Sequence, residues 1–112
     1  MDFSQPQILG QTGLKVGRLG LGAGYGAPAV AFEEAFERGC NYFYWVSRKN
    51  GMREAIKNIC RQGKRDQLII AVQSYSRSAF LMEFSFKKAL KSLSLYHVDI
   101  FILGWQIGRA HV

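Results

Sequence analysis

The feature that most restricts this chain's fold is a hydrophobic period that switches back and forth along it. Short apolar or aromatic runs alternate with longer stretches whose apolar residues recur every three or four positions. That succession is the signature of consecutive βα units, in which parallel strands are joined by crossover helices. Arg18-Leu19-Gly20-Leu21-Gly22, Asn41-Tyr42-Phe43-Tyr44-Trp45-Val46, Leu68-Ile69-Ile70-Ala71-Val72 and Val98-Asp99-Ile100-Phe101-Ile102-Leu103 read as strands. The run from Leu68 to Val72 is apolar throughout, as expected of a parallel strand covered on both faces.

Helices fill the intervals. The first has Pro28 in its opening turn, where the missing N–H costs nothing, and carries Ala31, Phe32, Ala35 and Phe36 as its apolar stripe. Gly39 ends it. The second covers about 52–61, with Met52, Ile56, Ile59 and Cys60 on one side. The third is capped by Ser78, runs to about residue 94, and turns Leu81, Phe84, Ala89, Leu90 and Leu93 inward. Ahead of them, Ile8-Leu9-Gly10 and Leu14-Lys15-Val16 flank Gln11-Thr12-Gly13, a β-hairpin whose glycine supplies a positive φ.

The expected order is therefore hairpin, then β-α-β-α-β-α-β. A last strand with no helix after it would leave an apolar edge prone to aggregation. On this reading residues 1–106 are an interrupted α/β unit and 107–112 a non-native tail. Those six residues, Ile107-Gly108-Arg109-Ala110-His111-Val112, also translate ATC GGA AGA GCA CAC GTC, a common sequencing-adapter sequence.

Composition narrows the function classes. Lys and Arg outnumber Asp and Glu by 15 to 8, a formal charge of +7. Such a balance suits a polyanion or an anionic membrane, but Arg53, Lys57, Arg61, Lys87, Lys88 and Lys91 fall where solvated helix faces would put them. Neither a nucleic-acid nor a membrane partner is expected. Cys40 and Cys60 lack disulfide-framework or metal-ligand spacing and read as reduced, buried thiols, so no metal site is expected. With no apolar run near about 20 residues and no signal-peptide pattern, a cytoplasmic location is the expectation.

Gly20-Leu21-Gly22-Ala23-Gly24-Tyr25-Gly26-Ala27 holds a formal G-x-G-x-x-A match at Gly22, Gly24 and Ala27. Between a strand and a helix, such a turn can present backbone N–H groups to a pyrophosphate. A small Rossmann-type NADP-binding domain is thus one alternative, with Arg48 or Lys49 in place of the usual acidic residue. The short glycine-interrupted strand and the hairpin before it weaken that alternative.

The hairpin has another explanation. Ile8-Leu9-Gly10-Gln11-Thr12-Gly13-Leu14-Lys15-Val16-Gly17-Arg18-Leu19-Gly20-Leu21-Gly22 resembles the opening of the aldo-keto reductases, whose hairpin plugs the bottom of a (β/α)₈ barrel. Gly39-Cys40-Asn41-Tyr42-Phe43 resembles that family's approach to its catalytic aspartate, and Lys64-Arg65-Asp66-Gln67-Leu68-Ile69-Ile70 its run into the third strand. Residues 89–103 resemble its long helix and fourth strand. The resemblance spans about residues 7–105 and implies the N-terminal half of a TIM barrel, preceded by a β-hairpin and truncated after the fourth strand.

It also implies NADP(H)-dependent reduction of small carbonyl compounds. In the family a tyrosine donates the proton, a lysine lowers that tyrosine's pKa, an aspartate pairs with the lysine, and a histidine orients the carbonyl. Here the aspartate's place holds Tyr44, the lysine's Gln73 and the histidine's Gly104, while the loop 47–51 has no tyrosine. Glutamine supplies no positive charge, so conventional carbonyl reduction is not expected. Tyr44 is a candidate substitute proton donor, with Arg48 or Lys49 as a source of charge nearby, set against a plain packing role for Tyr42 and Tyr44. Gly22, Ala23 and Gly24 occupy the place where the first strand would approach nicotinamide and substrate. The family's main cofactor contacts come from the other half of the barrel, so no NADPH binding by this chain alone is expected. The two open classes for the parent protein are a rebuilt reductase site and a non-catalytic barrel that binds nucleotide or a protein.

Overall fold

A computed structural model of the chain describes residues 5–23, 26–45, 50–74 and 78–103. Strands β1 (Gln7–Ile8) and β2 (Lys15–Val16) form the expected antiparallel hairpin, with Gln7 opposite Val16. Its turn is closed by Thr12, whose Oγ1 donates to the Leu9 carbonyl at 2.6 Å and accepts from the Leu14 N–H at 3.1 Å. Gly13 takes φ +77° there, in the left-handed region that favours glycine.

The remaining strands make one parallel sheet: β3 (Gly20–Gly22), β4 (Tyr42–Trp45), β5 (Ile69–Ser74) and β6 (Ile100–Leu103), in that spatial order. Helices α1 (Ala29–Glu37), α2 (Gly51–Arg61) and α3 (Ala79–Leu93) are interleaved with them, so the molecule is mixed α/β. Chain order equals spatial order, and the glycine-rich strand β3 has only β4 beside it among the described residues.

Strand alternation gives the sheet two different faces. Register puts Leu21, Phe43, Ile70 and Val72 on one face, continued by Trp45 and Phe101. Phe43 meets Phe32 and Phe36 of α1 with ring centroids at 6.0 and 6.5 Å, and Phe101 meets Phe86 of α3 at 5.2 Å. Met52, Ala55, Ile56 and Ile59 of α2 complete this core between the other two helices. The opposite face carries Gly20, Gly22, Tyr42, Tyr44, Ile69, Ala71, Gln73, Ile100 and Ile102, and no described helix packs on it.

Local chemistry explains the element ends. Asn50 caps α2 by accepting from Arg53 N–H at 3.0 Å. Ser78 caps α3 through the Leu81 N–H, as expected. Pro28 stands one residue earlier than expected, as the extended N-cap of α1, and Gly39 follows the helix at φ +101°. At the amino end of the sheet Asn41 ties three segments together. Its Oδ1 accepts from Gly17 N–H at 2.7 Å, while its Nδ2 donates to the carbonyls of Lys15 at 3.0 Å and Gln67 at 2.9 Å. The hairpin is thereby fastened beneath β4 and β5.

Three expectations need correcting. Leu81 and Phe84 do not turn inward: they are 48% and 59% exposed, and the buried line of α3 is Ala89 and Leu93 with half-buried Met82 and Phe86. Ala31 is exposed, so the stripe of α1 narrows to Phe32 and Phe36 with Ala35 at its margin. Cys40 and Cys60 are free but only half-buried. The last strand begins at Ile100, two residues later than expected, although Asp99 just before it donates its N–H to the Ile70 carbonyl at 3.0 Å and accepts from Ile70 N–H through its side chain. No described helix is long and apolar enough to cross a membrane.

Candidate functional site

The carboxyl ends of the parallel strands bring together most of the residues singled out from the sequence. Tyr44 lies on the open face of β4, and its hydroxyl donates to Oε1 of Gln73 on β5. The two are not level: Tyr44 aligns with Ala71, so the ring reaches one pleat further along β5 to meet Gln73. Both side chains are half-buried. On the other flank Gly22 stands level with Tyr44, and Ala23 N–H donates to the Tyr44 carbonyl at 3.1 Å. Ile102 is level with Gln73 on β6. Gly22, Ala23, Tyr44 and Gln73 thus form one contiguous patch. Gly24 and Gly104 lie outside the described residues, as do Arg48 and Lys49.

The contact between Tyr44 and Gln73 joins two uncharged side chains, with the Tyr44 hydroxyl proton directed onto an amide oxygen. A phenol acts as a general acid near neutral pH when a nearby cation stabilises its phenolate, and an amide does not supply that charge. Gly22 beside Tyr44 leaves that side of the patch low, while the Ala23 side chain belongs to the helix-side core and reaches Tyr44 only through its backbone N–H. Among the described residues no cluster of His, Cys, Asp and Glu could hold a metal ion.

On the helix side of the same strand end, Trp45 is 1% exposed and its Nε1 has no hydrogen-bond partner among the described residues. An orphaned indole N–H in the core costs about 1–3 kcal/mol. The sequence reading counted Trp45 only as a strand aromatic. Neighbouring Ser74 is also buried, at the end of β5. His97 is exposed at the amino end of β6, away from the patch, and its carbonyl accepts from Arg65 at 3.1 Å. It takes no part in the site.

A cavity among the described residues lies away from this patch. It lies at the amino end of the sheet, lined by Leu14, Lys15, Phe36, Asn41, Asp66 and Gln67 among others, and it separates the hairpin from the helix ends. Neither protein-family models nor curated proteins match this sequence.

Proposed function

We propose that these residues form the first half of an aldo-keto-reductase-like (β/α)₈ barrel, derived from an NADP(H)-dependent oxidoreductase acting on carbonyl compounds, and that this chain is itself inactive. The observation that carries the reading is the Tyr44–Gln73 contact. In the family those two positions hold an aspartate and a lysine that pair with each other. Here the same two positions are also partners, but both are uncharged. A sheet in which chain order equals spatial order, with helices against one face and the other face open, is the arrangement half of such a barrel would have. The edge position of the glycine-rich β3 counts against the Rossmann alternative, whose first strand has neighbours on both sides.

The neutral pair favours the non-catalytic form of this reading over a rebuilt reductase site. The hydroxyl of Tyr44 donates to the Gln73 amide oxygen, and an amide at that position brings no positive charge of its own to the phenol. NADPH titration followed by tryptophan fluorescence is expected to show no saturable binding in the micromolar range, and a panel of aldehydes no NADPH oxidation. Turnover that Tyr44→Phe abolishes would overturn the inactive assignment. The family relationship is tested separately by Tyr44→Asp, Gln73→Lys and the double variant. If the positions descend from an ion pair, each single change destabilises and the double recovers at least about 1 kcal/mol of coupling. Strict additivity would remove that support.

A further inference from the structure

We propose that the outward face of α3 docks on an anionic lipid surface. Phe80 and Phe84 stand one turn apart on that face, 76% and 59% exposed, with Leu81 beside them. The other exposed large apolar residues, such as Ile8, Leu19 and Val30, are scattered singly over the surface, which is ordinary. Three on one helix is not scatter. At 100° per residue Phe80, Phe84, Lys87 and Lys91 fall within one sector of roughly 60°, bordered by Lys88 and Leu81.

Charge selects the partner. Lys87, Lys88 and Lys91 are all exposed, the one acid of α3 is Glu83, ion-paired to Lys87 at 3.1 Å, and the whole chain carries +7. A helix with aromatic side chains among lysines is suited to the boundary between lipid headgroups and acyl chains, where the rings insert and the ammonium groups reach back to phosphate. Shape agrees. The depression between Phe80 and Phe84 is walled only by Glu83 and Lys87 of the same helix, so the surface is a ridge that a fluid interface accepts. From the sequence no membrane partner is expected, because Lys87, Lys88 and Lys91 read as a solvated face and Leu81 and Phe84 as core; the exposure of Phe80, Leu81 and Phe84 is what revises that expectation. α3 packs on the face of the sheet opposite Tyr44 and Gln73, so a docked molecule keeps that patch uncovered.

Co-sedimentation of the full chain with vesicles of equal parts phosphatidylserine and phosphatidylcholine tests this. Expected is binding to these vesicles, at least tenfold weaker binding to phosphatidylcholine alone, and a steep loss between about 50 and 300 mM salt. Phe80→Ser with Phe84→Ser is expected to weaken binding at least tenfold while circular dichroism stays unchanged, since both side chains are exposed. Lys88→Glu with Lys91→Glu is expected to do the same. Absence of binding, equal binding to neutral vesicles, or binding indifferent to both double variants would overturn the proposal. So would self-association that the Phe80→Ser, Phe84→Ser variant abolishes, because the face would then belong to a second copy of the chain.

Discussion

Replacing Asp99 by asparagine is expected to be among the most damaging near-isosteric changes in the chain. Oδ2 of Asp99 accepts from Ile70 N–H at 2.8 Å and from Nη2 of Arg65 at 3.0 Å. The guanidinium also donates to the carbonyls of Leu68 at 2.7 Å and His97 at 3.1 Å, so one ion pair joins the entries to β5 and β6. The side chains of Arg65 and Asp99 are only 19% and 13% exposed. Asparagine keeps the shape but leaves the guanidinium without its counter-charge. Breaking a fully buried pair costs about 3–5 kcal/mol, and the residual exposure brings the expectation to about 2–3 kcal/mol. That corresponds to a fall of about 0.7–3 M in the urea midpoint at an m-value of about 1–3 kcal/mol per molar. Tryptophan fluorescence follows the transition through buried Trp45. Arg65→Met with Asp99→Asn should be no worse than Asp99→Asn alone, because the orphaned cation is gone. A loss under about 0.5 kcal/mol, or full additivity of the two changes, would refute the argument that this bridge holds β6 in the sheet.

Other outcomes follow from single contacts. Asn41→Ala removes three hydrogen bonds at once and should cost about 2–3 kcal/mol, with faster amide exchange at Gly17 as the local readout. Gly51→Ala should destabilise by about 2 kcal/mol in thermal unfolding although alanine is the better helix former, because a Cβ there would overlap the Ala27 carbonyl and crowd Pro28 and Ala29. Burial pushes the Cys60 thiol above its usual pKa, with Arg65 opposing in part. Unfolded chains therefore release that proton at lower pH than folded ones, and stability should fall as pH rises through and above the ordinary thiol range. Cys60→Ser should flatten this dependence in urea titrations at successive pH values; an unchanged slope would contradict it.

The elements were legible because each strand and helix is locally consistent. Asn41 through Trp45 is aromatic and extended by preference, and the 52–61 segment has one unambiguous apolar side, now occupied by Met52, Ile56 and Ile59. α3 was legible in extent but not in orientation. Phe80, Leu81, Met82, Phe84 and Phe86 put apolar side chains around the whole circumference of its first two turns, so more than one stripe fits the period. Packing against β6 settles it, since Phe86 must meet Phe101, and that rotation carries Leu81 and Phe84 outward. The Arg65–Asp99 clamp was hidden for a different reason. Its partners are 34 residues apart, and neither sits in a periodic pattern that marks it as buried.

At the candidate site the sequence named the positions and the structure supplies the relation between them. Tyr44 and Gln73 were picked out from one family resemblance, each for standing where it implied a charged residue, and they touch. That contact bears on what Tyr44 is for. Its ring stands beside Gly22, a residue too small to fill that side of the patch, and its hydroxyl satisfies the Gln73 amide oxygen on the neighbouring strand. Packing and polar satisfaction together account for a half-buried tyrosine at this position without any proton transfer. A lysine placed at 73 without an acid at 44 would stand unpaired on a largely apolar face beside Ala71 and Ile102. A charge introduced at either position alone is therefore expected to destabilise this end of the sheet more than opposite charges introduced at both.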